Sequence, residues 1–283
     1  MESEFSSEYQ NMDFRRDSIV TRSVWACNVE YEFQLIGSVI GDYPFISMDT
    51  EFPGVVVRSD PSLLRLPENN YATLKANVDR LDLIQVGLTF SDAEGNLPKF
   101  GSSNSFIWEF NFCNFDVTRH LHAPDSIDLL RRQGIDFEKN RRFGIHTAHF
   151  AALMMRSGLA CNNNIHWITF HGAYDFGYLL KALTGRPLPQ NLVQFLHVVK
   201  KFFGVRVYDV KHLLKFCPNL YGGLDRVCKS LNLDRMIGKS HQAGSDSLLT
   251  LHAFLKIKDT YLQTQDQNSM LKYAGVMYGL EVP

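Results

Sequence analysis

Two residue periods alternate along this 283-residue chain. Apolar runs of strand length recur at Phe45–Phe52 (FISMDTEF), Leu81–Phe90 (LDLIQVGLTF), Ser105–Phe112 (SFIWEFNF), Ile165–Phe170 (IHWITF) and, briefly, in RVYDV, which ends at Val210. Each is flanked by turn-forming residues, and the first three, with a turn at Glu94-Gly95-Asn96, predict an antiparallel meander. Helical spacing fills much of the rest. Val24, Trp25, Val29, Phe33, Leu35 and Ile36 predict one amphipathic helix beginning near Ser18 to Val20, reaching Ile40 and stopping at Gly41. DSIDLLRRQG predicts a helix capped by Asp125 and ended by Gly134, HTAHFAALMMRSG one ended by Gly158, and YDFGYLLKAL one with Tyr178, Leu179, Ala182 and Leu183 on its apolar face. The chain beyond RVYDV, including SDSLLTLHAFLKIKD, reads as helical. The polar stretch Arg58–Asn70 is expected to be a loop, and Met1–Asp17, which lacks periodicity, a flexible tail ahead of a single domain over 18–283. The fold class is therefore α/β, a mixed central sheet with an antiparallel meander, flanked by helices.

Composition narrows the function classes. With 45% hydrophobic residues the chain can build a sizeable core. A formal net charge of -1 and a pI near 6.8 provide no overall basic field, so any polyanion must be held locally. Cys27, Cys113, Cys161, Cys217 and Cys228 are scattered without a C-x-x-C pair, which argues against a zinc ribbon or a disulfide framework and for a reducing compartment. Met1–Asp17 does not resemble a signal peptide, and no apolar run approaches the roughly 18 residues of a membrane span, so a soluble intracellular protein is expected. The basic group Lys139, Arg141 and Arg142 is too short to indicate nuclear import.

The chemistry starts inside FISMDTEF. Asp49 and Glu51 are two residues apart on a strand, so their carboxylates share a face and repel unless a cation lies between them. Two further acids stand at helix starts. Asp175 follows the strand IHWITF, where backbone N–H groups favour an anion, and Asp246 is expected to begin an amphipathic helix. Taken singly, each is explained as an ordinary helix-starting Asp. His241 precedes Asp246 by five residues; on one helix the two would lie about 140° apart, whereas a His on the preceding Gly-containing turn can swing above the helix start. Carboxylates at Asp49, Glu51, Asp175 and Asp246 with one imidazole are the donor set of two-metal phosphoryl transfer. Hard oxygen ligands suit Mg²⁺ or Mn²⁺, and a His can take a proton from water at neutral pH.

At these residues the chain resembles the DEDD exonucleases of the His-containing type, whose D-x-E, middle Asp and H-x4-D motifs follow in this order. A closer resemblance, running from about Val20 to Gly279, is to the Caf/Pop deadenylases, catalytic subunits of the Ccr-Not complex. It rests on MDTEFPGVV, NVDRLDLIQVGLTF, FHGAYDFGYLLK, VYDVKHLLK, GGL and HQAGSDSLLT. The form DYPFISMDTEFPG resembles plant members. The resemblance implies a ribonuclease-H-like exonuclease fold and 3′-to-5′ removal of poly(A) from messenger RNA, releasing 5′-AMP, in cytoplasm and nucleus. It implies two divalent ions, with Asp49 bridging both, Glu51 and Asp246 completing one site, Asp175 serving the other and His241 as general base. The implied partners are the poly(A) tail, a Not scaffold subunit and a second deadenylase subunit, with no membrane. Phe52 and Tyr174 adjoin the ligands and are candidates to stack on adenine, core packing being the equal alternative; Asp209, a fifth acid at a strand end, is expected beside the site as support. Departures from the family pattern at Gly172-Ala173 and Glu109 fall on no ligand position. A less selective exonuclease and a mainly scaffolding subunit remain the alternatives.

Overall fold

In the computed structural model, which describes residues 18–58, 66–262 and 267–282, every alternating run becomes a strand. These are β2 (Phe45–Glu51), β3 (Gln85–Ser91), β4 (Asn104–Asn111), β5 (His166–Thr169) and β6 (Val207–Asp209). They join a sheet of order β1-β4-β3-β2-β5-β6, in which β1 is Ser18–Val24. Strands β2, β3 and β4 form the expected antiparallel meander, while β1 runs parallel to β4 and β2, β5 and β6 run parallel to one another. The sheet is therefore mixed, and β2 lies inside it.

One helix was expected to extend from about Ser18 to Ile40; the chain instead makes β1 and then helix α1 (Val29–Val39). SIVTRSV is rich in β-branched residues and pairs with β4 over its whole length, which outweighs the apparent helical spacing. Arg22 on β1 donates two bonds, of 2.6 and 2.9 Å, to Glu32 on α1, and Trp108 Nε1 of β4 donates to the same carboxylate at 3.0 Å. Phe33 of α1 packs 5.4 Å from Phe110 and edge-on, at 5.6 Å, to Phe150; such aromatic pairs add about 0.5–1.5 kcal/mol beyond their area.

Helix α2 (Pro67–Val78) replaces the far end of the expected Arg58–Asn70 loop; residues 59–65 of that loop, like the tail Met1–Asp17, lie outside the described residues. Tyr71, Leu74 and Val78 give α2 a narrow buried stripe, and buried Asn77 accepts from Val56 and Val57 N–H groups and donates to Val57 and Thr73 carbonyls. Helices α3 (Pro124–Arg132), α4 (Phe137–Phe143), α5 (Thr147–Arg156), α6 (Ala173–Thr184) and α7 (Leu192–Phe203) follow. Asp125 is not the cap of α3: Ala123 holds the N-cap position and Pro124 the first helical one, where a missing N–H costs nothing. After β6 come α8 (Val210–Leu213), α9 (Leu224–Ser230) and α10 (Ala243–Ile257). No described helix is long and apolar enough to cross a membrane.

The two faces of the sheet differ. Ile46, Met48, Val86, Leu88 and Phe90 join a core with α1, α2, α5, α6 and α7. The opposite face of β2 and β3 presents Ser47, Asp49, Glu51, Gln85, Gly87 and Thr89, and α10 lies across it. Polar contacts dock the helix. Ser47 Oγ donates to the Ser247 carbonyl at 2.7 Å, Thr89 Oγ1 and Ser247 Oγ are 2.8 Å apart, and the Ala243 N–H reaches Gln85 Oε1 at 2.9 Å. Helix α10 is consequently buried on nearly every side, not amphipathic as expected, because α8 and α9 cover its outer face.

Candidate active site

Strand alternation sends Asp49 and Glu51 toward α10 and Thr50 to the other face, toward the start of α6. There Thr50 Oγ1 donates to Asp175 Oδ1 at 2.5 Å. Asp175 sits in the first turn of α6, and the turn that delivers it is tied down by Asp209. Asp209 is fully buried; its Oδ1 accepts the N–H groups of His171 (2.8 Å) and Lys211 (2.9 Å), and its Oδ2 those of Gly172 (3.3 Å) and Tyr278 (2.9 Å). It does not line the cleft and supports Asp175 from behind, through the His171-Gly172 turn. A Cβ on Gly172 would lie 2.1 Å from Thr169 Oγ1, so a larger residue here would have to displace the Thr169 side chain.

His241 lies on the turn before α10, not on the helix, in a left-handed conformation with φ +61°. Asp246 is the fourth residue of α10, one turn in from its start. One donor atom each of Glu51, His241 and Asp246 lie within 4.8 Å of one another, with both carboxylates buried and the imidazole exposed. Asp49, Glu51, His241 and Asp246 open into one cavity of about 470 Å³. Asp246 is gripped on both oxygens: Oδ2 accepts the His241 N–H at 2.7 Å, and Oδ1 lies 2.7 Å from an Arg235 guanidinium nitrogen.

The electrostatics are those of crowded acids. Burial, together with the charges of Asp175, Glu51 and Asp246, pushes the Asp49 carboxyl well above the ordinary range. Glu51 is raised likewise, by burial and then by Asp246, Asp175 and Glu109. Burial lifts Asp175 to about 7 despite its bond from Thr50. Asp246 also goes up, because burial outweighs the pull of Arg235 and the His241 N–H. A buried acid cluster with so little neutralisation fits a pair of hard divalent cations, whose charge reverses this penalty and whose oxygen-ligand preference the side chains meet.

Phe52 lines the same cavity, with its ring stacked on Tyr174 (5.2 Å, 12°) and packed 4.8 Å from Tyr178. Tyr174 faces a neighbouring cavity of about 300 Å³ with His171 and Tyr278. Several wall residues escaped sequence reasoning: Phe170, Asp225, Arg226 and Ser240 line the cleft, and Arg235 stands behind it. The GGL motif, which ends at Leu224 on the rim, was the available signal for this wall. Glu109 is also nearer than expected: it accepts the Gly244 N–H at the start of α10, and its charge bears on Glu51.

Comparison with known proteins gives a consistent picture. Residues 24–151 match the model of the CAF1 family ribonuclease. The chain is 51% identical over 267 residues to the probable CCR4-associated factor 1 homolog 7 of Arabidopsis thaliana, covering 94% of this chain and 95% of that one. It is 43% identical over 259 residues to the poly(A) ribonuclease pop2 of Schizosaccharomyces pombe, covering 92% and 74%. Among solved structures, S. pombe Pop2p with Mg²⁺ and Mn²⁺ bound superposes with a TM-score of 0.83 at 42% identity, covering 92% of this chain and 99% of that one. Yeast CAF1, co-crystallised with the NOT1 MIF4G domain, superposes with a TM-score of 0.75 at 33% identity, covering 92% and 96%. The expected ribonuclease-H-like exonuclease fold is borne out by these likenesses.

Proposed function

The chain belongs to the CAF1 family of ribonucleases, and on that premise we propose that it is a poly(A)-directed 3′-to-5′ exoribonuclease, a deadenylase that releases 5′-AMP. The observation that carries this reading is the meeting of Glu51, His241 and Asp246 within 4.8 Å in the cleft that also holds Asp49. Asp49, Glu51, Asp175 and Asp246 would hold two divalent ions, Mg²⁺ or Mn²⁺ as in the similar Pop2p structure. When bound, these ions supply charge stabilisation at the scissile phosphate and activation of the attacking water.

The chain's own residues do the rest. His241, exposed on its turn beside the carboxylates, accepts the proton of the attacking water as the new P–O bond forms and the P–O3′ bond breaks; the leaving 3′-oxygen takes a proton from solvent, and His241 returns to the neutral form by releasing its own. Asp49 and Glu51 are fixed by their strand, so the carboxylates that would hold the ions are positioned before substrate arrives. Phe52, on the cavity wall, offers an aromatic edge to the terminal adenine, with Tyr174 backing its ring. As a member of a Ccr-Not assembly, the protein would meet a Not scaffold subunit and a second deadenylase. The similar CAF1 chain held by a NOT1 domain supports the first, and the relative's name, CCR4-associated factor, the second. Action as one domain over 18–283, in cytoplasm and nucleus, completes the reading.

The test uses 5′-labelled RNA ending in oligo(A) or oligo(U), incubated in Mg²⁺ or Mn²⁺ with wild type and Asp49→Ala. Trimming that stops at the oligo(A) boundary and vanishes in the variant is expected. Equal trimming of both tails would keep the nuclease and reject poly(A) selectivity.

A further inference from the structure

The His241 turn belongs to an irregular segment between α9 and α10, residues 231–242, whose Leu231, Leu233 and Ile237 pack into the core with α10 and whose Gln242 accepts the Lys239 N–H at 2.9 Å and donates to the Gln133 carbonyl at 2.8 Å. Its charged contacts converge on one side chain. The Arg235 guanidinium, largely buried at 17% exposure, lies 2.7 Å from Asp246 Oδ1 and donates at 2.7 Å to Asp225 Oδ1, through the same nitrogen. Its other terminal nitrogen donates to Ser245 Oγ at 2.6 Å and to the Lys239 carbonyl at 3.4 Å. Both partners reach back to the segment: Asp225 Oδ2 accepts from Ser240 Oγ at 2.8 Å, and Ser245 Oγ donates to the Ile237 carbonyl at 2.6 Å. One cation thus joins α9, the start of α10 and the residues on either side of His241.

We propose that Arg235 is a positioning residue of the hydrolytic centre: shared between Asp225 and Asp246, it aims the Asp246 carboxylate and holds the turn that presents His241. Two features of the geometry give this content. The Asp246 oxygen that Arg235 leaves free is the one that takes the His241 N–H, so carboxylate and base are registered to each other through a single group. His241 is also held at φ +61°, a left-handed conformation that costs a non-glycine residue about 1–3 kcal/mol and persists only where its surroundings impose it. A guanidinium suits the task and an ammonium does not, because two carboxylates and a hydroxyl must be met at once by a planar fork. The inference rests on the ribonuclease reading and deepens it.

Wild type, Arg235→Met, Arg235→Lys and Asp225→Asn are compared by Mn²⁺ titration calorimetry, by melting without metal, and by kcat and KM on oligo(A) RNA. Loss of an orienting partner of a metal ligand costs about 10- to 100-fold in affinity or activity. Arg235→Met is expected to bind Mn²⁺ about tenfold or more weakly and to lose kcat with KM little changed. Arg235→Lys should recover part of both, and Asp225→Asn should fall between wild type and Arg235→Met. A folded Arg235→Met with wild-type Mn²⁺ affinity and kcat overturns the proposal, as does a variant whose metal-free melting point alone has dropped. Should Arg235→Met not fold, Arg235→Lys and Asp225→Asn decide: wild-type Mn²⁺ binding and kcat in both rejects the role. Failure of the wild type itself to bind Mn²⁺ overturns the ribonuclease reading and this role together.

Discussion

Gly87 of β3 lies directly beneath the carbonyl of Ala243, the first residue of α10: a Cβ built on Gly87 would come within 1.9 Å of that oxygen and 2.0 Å of its carbon. Because Gly87 pairs with Asp49 across the sheet, this contact sets how close the helix bearing Asp246 comes to the strand bearing Asp49 and Glu51. Neither backbone has room to yield, since both are held by the ladder and the Gln85–Ala243 bond.

Gly87→Ala should therefore move or detach the start of α10. Overpacking of this kind costs typically about 1–3 kcal/mol, and backbone contact puts this case at the upper end or above. Urea unfolding measures the loss, and Mn²⁺-dependent RNA trimming by the folded fraction should fall further than stability alone accounts for. A variant with unchanged midpoint and activity would show that α10 does not depend on this close approach.

Asp49→Ala should separate repulsion from metal binding. Burial and neighbouring charges raise the Asp49 carboxyl, so its contribution to the stability of the metal-free protein falls as pH rises above the ordinary carboxylate range and is fully lost above the folded pKa. The metal-free variant is expected to melt no lower than wild type near pH 8. The Mg²⁺- or Mn²⁺-induced rise, worth about 2.7 kcal/mol at a hundredfold excess over Kd for the wild type, should be lost. A full metal-induced rise in Asp49→Ala would remove Asp49 from the ligand set.

His241→Ala should lower kcat far more than Mn²⁺ affinity, because an exposed imidazole on a turn suits proton transfer better than it suits holding an ion. Calorimetry beside single-turnover kinetics distinguishes the two. Equal losses in both would make His241 a ligand, a role its closeness to Glu51 and Asp246 permits.

Asp209→Asn tests support from behind the site. Each oxygen of Asp209 accepts two backbone N–H groups, and an amide can replace only one oxygen. Two donors are then left facing an NH₂ group, at about 1–3 kcal/mol each. A drop of roughly 2–6 kcal/mol in unfolding free energy is expected, with weakened metal binding through the displaced Asp175 turn. Retention of both properties would mean that water replaces the lost acceptor.

His166 should make the protein acid-sensitive independently of the acids. It is buried between Phe45 (4.2 Å, stacked) and Tyr208, and burial, with the charge of Arg206 added, lowers its pKa to about 4. A depressed folded pKa means the unfolded chain binds the extra proton first, so this contribution to stability is complete above about 6.5 and is lost as pH falls toward 4. Plotted against pH, the urea midpoint of His166→Gln should fall less steeply across that window than the wild type's; parallel curves would assign the acid sensitivity elsewhere.

Strands β2 to β6 and their antiparallel meander are legible in the sequence alone, which also singles out Asp49, Glu51, Asp175, His241 and Asp246 as candidate site residues. Those signals are local: side-chain alternation fixes which face Asp49 and Glu51 share, and the helix-start positions of Asp175 and Asp246 are written in the flanking residues. Local pattern also misled. SIVTRSV read as helix because its apolar residues happened to fit a 3.6 period with those that follow, and only pairing with β4, far along the chain, makes it a strand. The polar face of Gln85, Gly87 and Thr89 looks like a solvent face, yet it is buried, because α10 brings matching donors and acceptors to it from 158 residues away. Arg235 and Asp225 carry no motif at all. Their importance arises where a loop and two helices meet, and such meetings are decided by the tertiary packing of distant segments rather than by the period of any one of them.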